Sequence, residues 1–276
     1  MPDVVTTLGG SLIQHGPQND RIYVMKLDPR DLPAILAQLD DLAGERGYSK
    51  IFAKVPASAG EAFEAAGYEV EARAAGLFNG REDGLFVSRF VDLVRRDETD
   101  PDRHEAVLAA ARAKRGAGAG VLPAGVTLRL CGPDDIADMA ALYADVFDSY
   151  PFPIDDPAYL AETMASHVAY FGVWRGRRLA ALGSAEMNTE AGNVEMTDFA
   201  TQPGDRGGGL AAQILSFMED KMRARGLATA YTIARAVSFG MNVTFARMNY
   251  EYGGRLVNNT HIAGRYESMN VWSKRL

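Results

Sequence analysis

The stretch Asn193–Arg225, NVEMTDFATQPGDRGGGLAAQILSFMEDKMRAR, decides the fold. Its apolar-rich opening, Val194–Thr201, predicts a strand, and Gln202–Gly204 with its proline predicts a turn. Arg206-Gly207-Gly208-Gly209-Leu210-Ala211 then opens a helix. Leu210, Ile214, Met218 and Met222 recur at every fourth residue with Ala211 and Leu215 beside them, so one face is apolar. Lys221, Arg223 and Arg225 fill the last turns, where cations suit the helix dipole, and Gly226 stops it. Glycines at a positive helix end leave backbone N–H groups bare, an arrangement that holds a phosphate or pyrophosphate. A tight turn whose glycines serve only the backbone is the alternative.

The spacing Arg206-x-x-Gly209-x-Ala211 after a strand is neither the Walker pattern nor the dinucleotide GxGxxG. It resembles the GNAT superfamily of acetyl-CoA-dependent N-acetyltransferases, whose signature is Arg/Gln-x-x-Gly-x-Gly/Ala between a strand and a helix. The resemblance implies an α/β fold, a mixed and mostly antiparallel sheet flanked by helices. It also implies that Phe199, Ala200 and Thr201 at the strand end, with Arg206, Gly207, Gly208, Gly209, Leu210 and Ala211, bind coenzyme A.

Outward from this stretch, 276 residues with 47% hydrophobic content suffice for one or two cores. The net charge of −7 comes without a basic stripe or aromatic–basic alternation, which argues against nucleic acid and suits a small cationic substrate. Cys131 stands alone, so no internal disulfide forms and a reducing compartment is expected. His15, His104, His167 and His261 lack metal-ligand spacing, and no metal is expected. No apolar run approaches the ~20 residues of a membrane span, and no secretory signal opens the chain; the expectation is a cytoplasmic protein without a membrane partner.

Residues 1–20 read as polar and loose. Strands are expected at Arg21–Leu27, Lys50–Val55, Tyr68–Phe78 and Leu85–Val91, with helices at Asp31–Arg46 and Ala59–Ala66. The composition changes at Arg95 with charged RRDETDPDRHE (95–105), and residues 96–123 read as a linker with an alanine-rich helix near Glu105–Lys114, then a flexible GAGAG hinge. From residue 124 the expected order is strand, two helices, three strands, helix, strand, helix and two strands, which is the GNAT order. The halves also echo each other. Ile35-Leu36 precede Arg46-Gly47 as Ile214-Leu215 precede Arg225-Gly226, and Phe63 precedes Tyr68 as Phe245 precedes Tyr250. Residues 1–95 therefore read as a degenerate, smaller GNAT-like lobe, with chance similarity as the alternative. At the phosphate-loop position it has DPRDLPAIL, acidic and without glycine, so it is expected to cover or assemble without binding coenzyme.

Acetyl transfer to an alkylammonium of pKa ~10.4 is helped by a base, direct or through water. Alternation along Val194–Thr201 puts Glu195, Thr197 and Phe199 on one face and Met196 and Asp198 on the other. A carboxylate in an apolar strand is costly unless used or paired. The resemblance implies Glu195 as general base; a cross-sheet salt bridge or an edge position is the alternative. Asp198 is the second catalytic candidate, or a holder of the substrate ammonium. The family's acid for the departing thiolate is a tyrosine that here aligns with Phe245, so another hydroxyl or water must serve. Asn242 is a candidate pantetheine contact or an ordinary helix-start residue. Cys131 lacks a histidine close in sequence and ranks low as a nucleophile.

SYPFPIDDPAYLAETM (149–164), EMTDFAT (195–201), ARAVSFGMN (234–242) and NNTHIAGRYESMNVW (258–272) narrow the resemblance to the β-lysine ε-N-acetyltransferase family. It implies acetyl-CoA and a small cationic diamino acid, here β-lysine, converted to the compatible solute Nε-acetyl-β-lysine. Tyr150 and Phe152 are candidate substrate-wall residues, and Asn258, Asn259, Glu267 and Asn270 candidate substrate contacts; a surface polar hairpin is the alternative. Another polyamine, an aminoglycoside or a protein amine remain as acceptors, and an acetyl-CoA sensor without catalysis as the reading from another class. A homodimer is compatible with this reading.

Overall fold

The computed structural model describes residues 3–148, 150–262 and 264–276. The first lobe holds strands β1 (Val4–Leu8), β2 (Ser11–Gly16), β3 (Arg21–Lys26), β4 (Lys50–Pro56), β5 (Glu69–Phe78) and β6 (Glu82–Phe90), with helices α1 (Ala34–Arg46) and α2 (Gly60–Ala65). Helix α3 (Pro101–Arg112) leads to the second lobe: β7 (Val126–Leu130), α4 (Ile136–Val146), α5 (Pro157–Ser166), β8 (Val168–Arg175), β9 (Arg178–Asn188), β10 (Asn193–Thr201), α6 (Leu210–Ala224), β11 (Thr229–Arg235), α7 (Phe239–Arg247), β12 (Glu251–Ile262) and β13 (Arg265–Arg275). The expected α/β order of the second half is found element for element.

The 13 strands of the described residues form one mixed sheet, ordered β1-β2-β3-β4-β6-β5-β12-β13-β11-β10-β9-β8-β7. β12 and β5 join the lobes through the single register pair Gly254↔Ala72. A Cβ at Gly254 would lie 2.2 Å from the Glu71 carbonyl, so only glycine permits this approach. The sheet curls there, and one core draws on both lobes: Phe52, Ala72, Leu77 and Phe86 from the first, Tyr231, Leu256, Met269 and Val271 from the second.

Residues 1–20 read as loose, but the described part of them, from residue 3, is ordered into strands; residues 1 and 2 lie outside the described residues. VVTTL and SLIQHG pair as a hairpin across Gly9-Gly10, with Ile13 and Gln14 buried. The two apolar-rich runs around a Gly-Gly turn were the available signal. Asp31 then accepts from the Gly10 N–H at 3.0 Å and from Ser11 Oγ at 2.6 Å. The Asp31 carboxylate thus ties the β1–β2 turn to the start of the segment that leads into α1. The GAGAG stretch is also tied down: Gly116 and Gly118 N–H donate to the Ala246 and Arg247 carbonyls, and Gln213 Nε2 to Ala119 O.

The polar residues of β12 work at the seam. Lys50 Nζ meets Glu71 at 2.8 Å and the Val257 carbonyl at 2.7 Å, while Arg21 Nη1 reaches Asn259 O and Thr260 Oγ1. Arg95 donates to Asn19 O, Asp20 O, Ser49 Oγ and Asn258 O, and stacks 3.9 Å from the Tyr266 ring centroid. Removing a buried charged donor strands its acceptors, at a cost of ~3 kcal/mol or more. Arg95→Ala should therefore lower the urea midpoint strongly, read by equilibrium unfolding; an unchanged midpoint would deny the seam its stabilising role.

Candidate active site

β10 and β11 are parallel and pair only over Asn193–Glu195 with Thr229–Tyr231. Beyond Glu195 the two strands part, so the β10 edge facing β11 carries unpaired backbone groups from Met196 on. On its other edge β10 pairs with β9, Glu195 opposite Glu186 and Thr197 opposite Ser184, but Ala200 opposite Leu182. Asp198–Phe199 thus face Gly183 alone, a bulge. Asp198 takes φ +51, a left-handed conformation that aspartate tolerates.

This bulge corrects the expected alternation. Asp198 does not face away from Glu195: its carboxylate accepts from Ser184 Oγ and Tyr150 Oη, each at 2.5 Å, and Ser184 lies on the Glu195 side of the sheet. Glu195, Glu186 and Asp198 therefore share one face, walled by tyrosines 150, 159 and 170. Burial, then the neighbouring Glu186 carboxylate, pushes Glu195 up to about 7, partly offset by Lys54 and the Tyr231 hydroxyl. Burial also raises Asp198, against its hydrogen bonds from Ser184 and Tyr150. Burial works against charge on Glu186 as well, yet the His167 ring and Lys54 bring it below its ordinary value. One basic-poised carboxyl beside an ionised one is an arrangement suited to taking a proton from an ammonium.

No local pattern in the sequence marks Glu186, Tyr231, Lys54 or Tyr23. Glu186 sits opposite Glu195 only through strand register, and Tyr231 through the parallel pairing. Lys54 and Tyr23 come from the first lobe: Lys54 Nζ hydrogen-bonds the Tyr231 hydroxyl, and Glu195 and Glu186 both bear on Tyr23.

At the other end of β10, Gly207, Gly208 and Arg206 are exposed, and Gly209 caps α6 at φ +77 with no side-chain cap. Among the described residues the N–H groups of Gly207, Gly208, Gly209, Leu210 and Ala211 have no intramolecular acceptor. Such a nest at a helix N-terminus fits a pyrophosphate. Arg206 Nε folds back on the Thr201 carbonyl at 3.2 Å, and Ala200 is buried beneath it. Phe199 meets Phe245 edge to face at 5.8 Å, and Phe245 meets Tyr250 at 5.0 Å, so Phe245 is a core residue. Asn242 spends its amide on the Arg235 and Ser238 carbonyls and accepts from Asn270 and Trp272.

The candidate acceptor residues divide. Tyr150 joins the Glu195 cluster, and Phe152 packs on the core beneath it. Asn258 binds the Arg95 and Asp97 carbonyls, Asn259 meets Arg21, and Glu267 pairs with Arg235 and Arg265. Asn270 lies on the opposite face of the sheet from Tyr231, with Asn242. The structure does not bring these four to the Glu195 cluster. Cys131 is buried and its thiol pushed up to about 12, so it stays neutral. Among the described residues no helix is long and apolar enough to cross a membrane, and no group of three His, Cys, Asp or Glu is placed for a metal.

Comparison with known proteins agrees with this geometry. Residues 138–241 match the Acetyltransferase (GNAT) family. The beta-lysine N(6)-acetyltransferase of Methanococcus maripaludis is 36% identical over 98% of both chains. The N-acetyltransferase YodP of Bacillus subtilis is 39% identical over 54% of each chain, and the beta-lysine N(6)-acetyltransferase of Methanosarcina mazei 39% identical over 56% of this chain and 57% of that one. The chain belongs to the GNAT acetyltransferase family, alongside the beta-lysine N(6)-acetyltransferases.

Proposed function

We propose that this protein acetylates the terminal amine of β-lysine with acetyl-CoA. The observation that carries the substrate is the end-to-end relation to a beta-lysine N(6)-acetyltransferase, which extends through the first lobe as well as the second. Acetyl-CoA supplies an activated thioester. The residues Gly207–Ala211 hold its pyrophosphate through bare N–H groups, with Arg206 adding charge, and the unpaired edge of β10 past Glu195 takes the pantetheine arm by backbone hydrogen bonds.

On the acceptor side, Asp198 and Glu186 draw the ammonium in, and the tyrosines give its methylenes an apolar wall. Glu195, half-ionised near neutrality, takes the ammonium proton so that the nitrogen lone pair is free to attack. Phe245 has no hydroxyl, and Tyr250 behind it is buried toward Glu219, so water supplies the proton that the leaving thiolate needs. The setting is the cytoplasm, where a lone buried cysteine is unremarkable.

Thiol release with β-lysine, α-lysine, spermidine, an aminoglycoside and a lysyl peptide tests this reading. The expected outcome is kcat/KM for β-lysine roughly a hundredfold above the others, the size of one buried polar group left unsatisfied in a mismatched complex. A higher kcat/KM for any other amine in that panel would replace the substrate.

A further inference from the structure

Lys54 belongs to the lobe that lacks the glycine loop. It stands on β4, and alternation places it on the face of Phe52, with Tyr23 and Phe86 on the flanking strands. That face curls against β11, so its ammonium lies 4.7 Å from the Tyr231 ring centroid and bonds the Tyr231 hydroxyl.

Each buried cation around it meets at least two acceptors. Lys50 has Glu71 and a carbonyl, Arg21 has Asn259 and Thr260, and Arg95 has five acceptors, the Asp20 carboxylate among them. Lys54 differs. An ammonium has three donors, and among the described residues the Tyr231 hydroxyl is the acceptor it meets, with no carboxylate at ion-pair distance. Its partner Tyr231 stands opposite Glu195 in the β10–β11 register, so Lys54 borders the acidic cleft; burial lowers its proton affinity while Glu195 and Glu186 hold it up.

We propose that Lys54 receives the carboxylate of the acceptor amino acid, making the first lobe the source of specificity for a diamino acid over a plain diamine. This rests on the amino-acid acceptor proposed above. Three carboxylates attract any polycation and repel the carboxylate of a diamino acid. One cation, set beyond Tyr231 from Glu195, reverses that preference. A ligand with its amine at Glu195 and its carboxylate at Lys54 then lies across the Tyr231 ring.

The test compares β-lysine with 1,4-diaminopentane, which is β-lysine without its carboxylate. Lys54→Met keeps the stem that packs along Tyr231. It should raise KM for β-lysine roughly 10- to 100-fold more than KM for 1,4-diaminopentane, the worth of a charged hydrogen-bonded pair, whatever common change in kcat follows from the loss of a charge near Glu195, and coenzyme A affinity should hold. Lys54→Arg should recover part of the loss; Lys54→Gln gives a second neutral variant should Met disturb folding. An equal loss on both amines would overturn the proposal, because Lys54 would then act through Glu195. A wild type that does not prefer β-lysine over 1,4-diaminopentane would overturn it too. A wild type that turns over neither, while acetylating another amine, would sink the acceptor reading itself.

Discussion

Glu195→Gln is expected to lower kcat by 10²–10⁴-fold, the usual worth of general-base assistance, while coenzyme A affinity holds. Glutamine keeps the size and an acceptor oxygen but cannot take the ammonium proton. In the wild type, kcat/KM should climb as pH rises through about 7, where Glu195 loses its proton. The deficit of the variant should shrink at higher pH, as free amine becomes available without help. The same residue makes an opposite prediction for stability. Its folded pKa lies above the ordinary carboxylate value, so the folded state holds a proton that the unfolded chain has released. Stability is then lost as pH rises from about 4.5 to about 7. Glu195→Gln removes that cost and should melt a few degrees higher than the wild type at pH 8, with no difference near pH 4. A variant that melts lower at pH 8 and loses activity equally at all pH values would make Glu195 a structural residue. If Asp198→Asn is dead while Glu195→Gln turns over normally, the base is Asp198.

Gly209→Val is expected to weaken coenzyme A binding by about a hundredfold or more. Gly209 holds φ +77 at the cap of α6, a region that a β-branched residue enters only under strain. Relief of that strain would turn the Gly207–Ala211 N–H groups away from one another, and a phosphate nest depends on their convergence. Arg206→Ala removes a charge but leaves the nest, so its loss should be smaller. Calorimetric titration with coenzyme A reads both, with circular dichroism to verify the fold. Unchanged affinity in both variants would exclude this loop as the coenzyme site.

What was legible in the sequence was local. The strand–glycine–helix stretch is read from adjacent residues, because helix period, cap and turn chemistry each act over a few positions. The acceptor side was only partly legible. Glu195 is legible because a carboxylate in an apolar strand stands out and the family resemblance implies a base there, but its partner Glu186 is set by strand register, which no local pattern encodes. Asp198 was placed on the wrong face because one bulged residue inverts an alternation. Asn258, Asn259 and Glu267 stand out as polar residues in strands, yet the Asn258 side chain holds the segment after β6, Asn259 meets Arg21 through its backbone carbonyl, and Glu267 pairs with Arg235 and Arg265 inside the second lobe. Lys54 looked like an ordinary strand lysine; only the curl of the sheet carries it to Tyr231.

The most direct test of the account is the identity of its product. The protein, incubated with β-lysine and acetyl-CoA, should yield one acetylated species whose nuclear magnetic resonance spectrum places the acetyl group on the terminal nitrogen. Acetyl on the β-nitrogen, or no acetyl-β-lysine where another amine is acetylated, would contradict it.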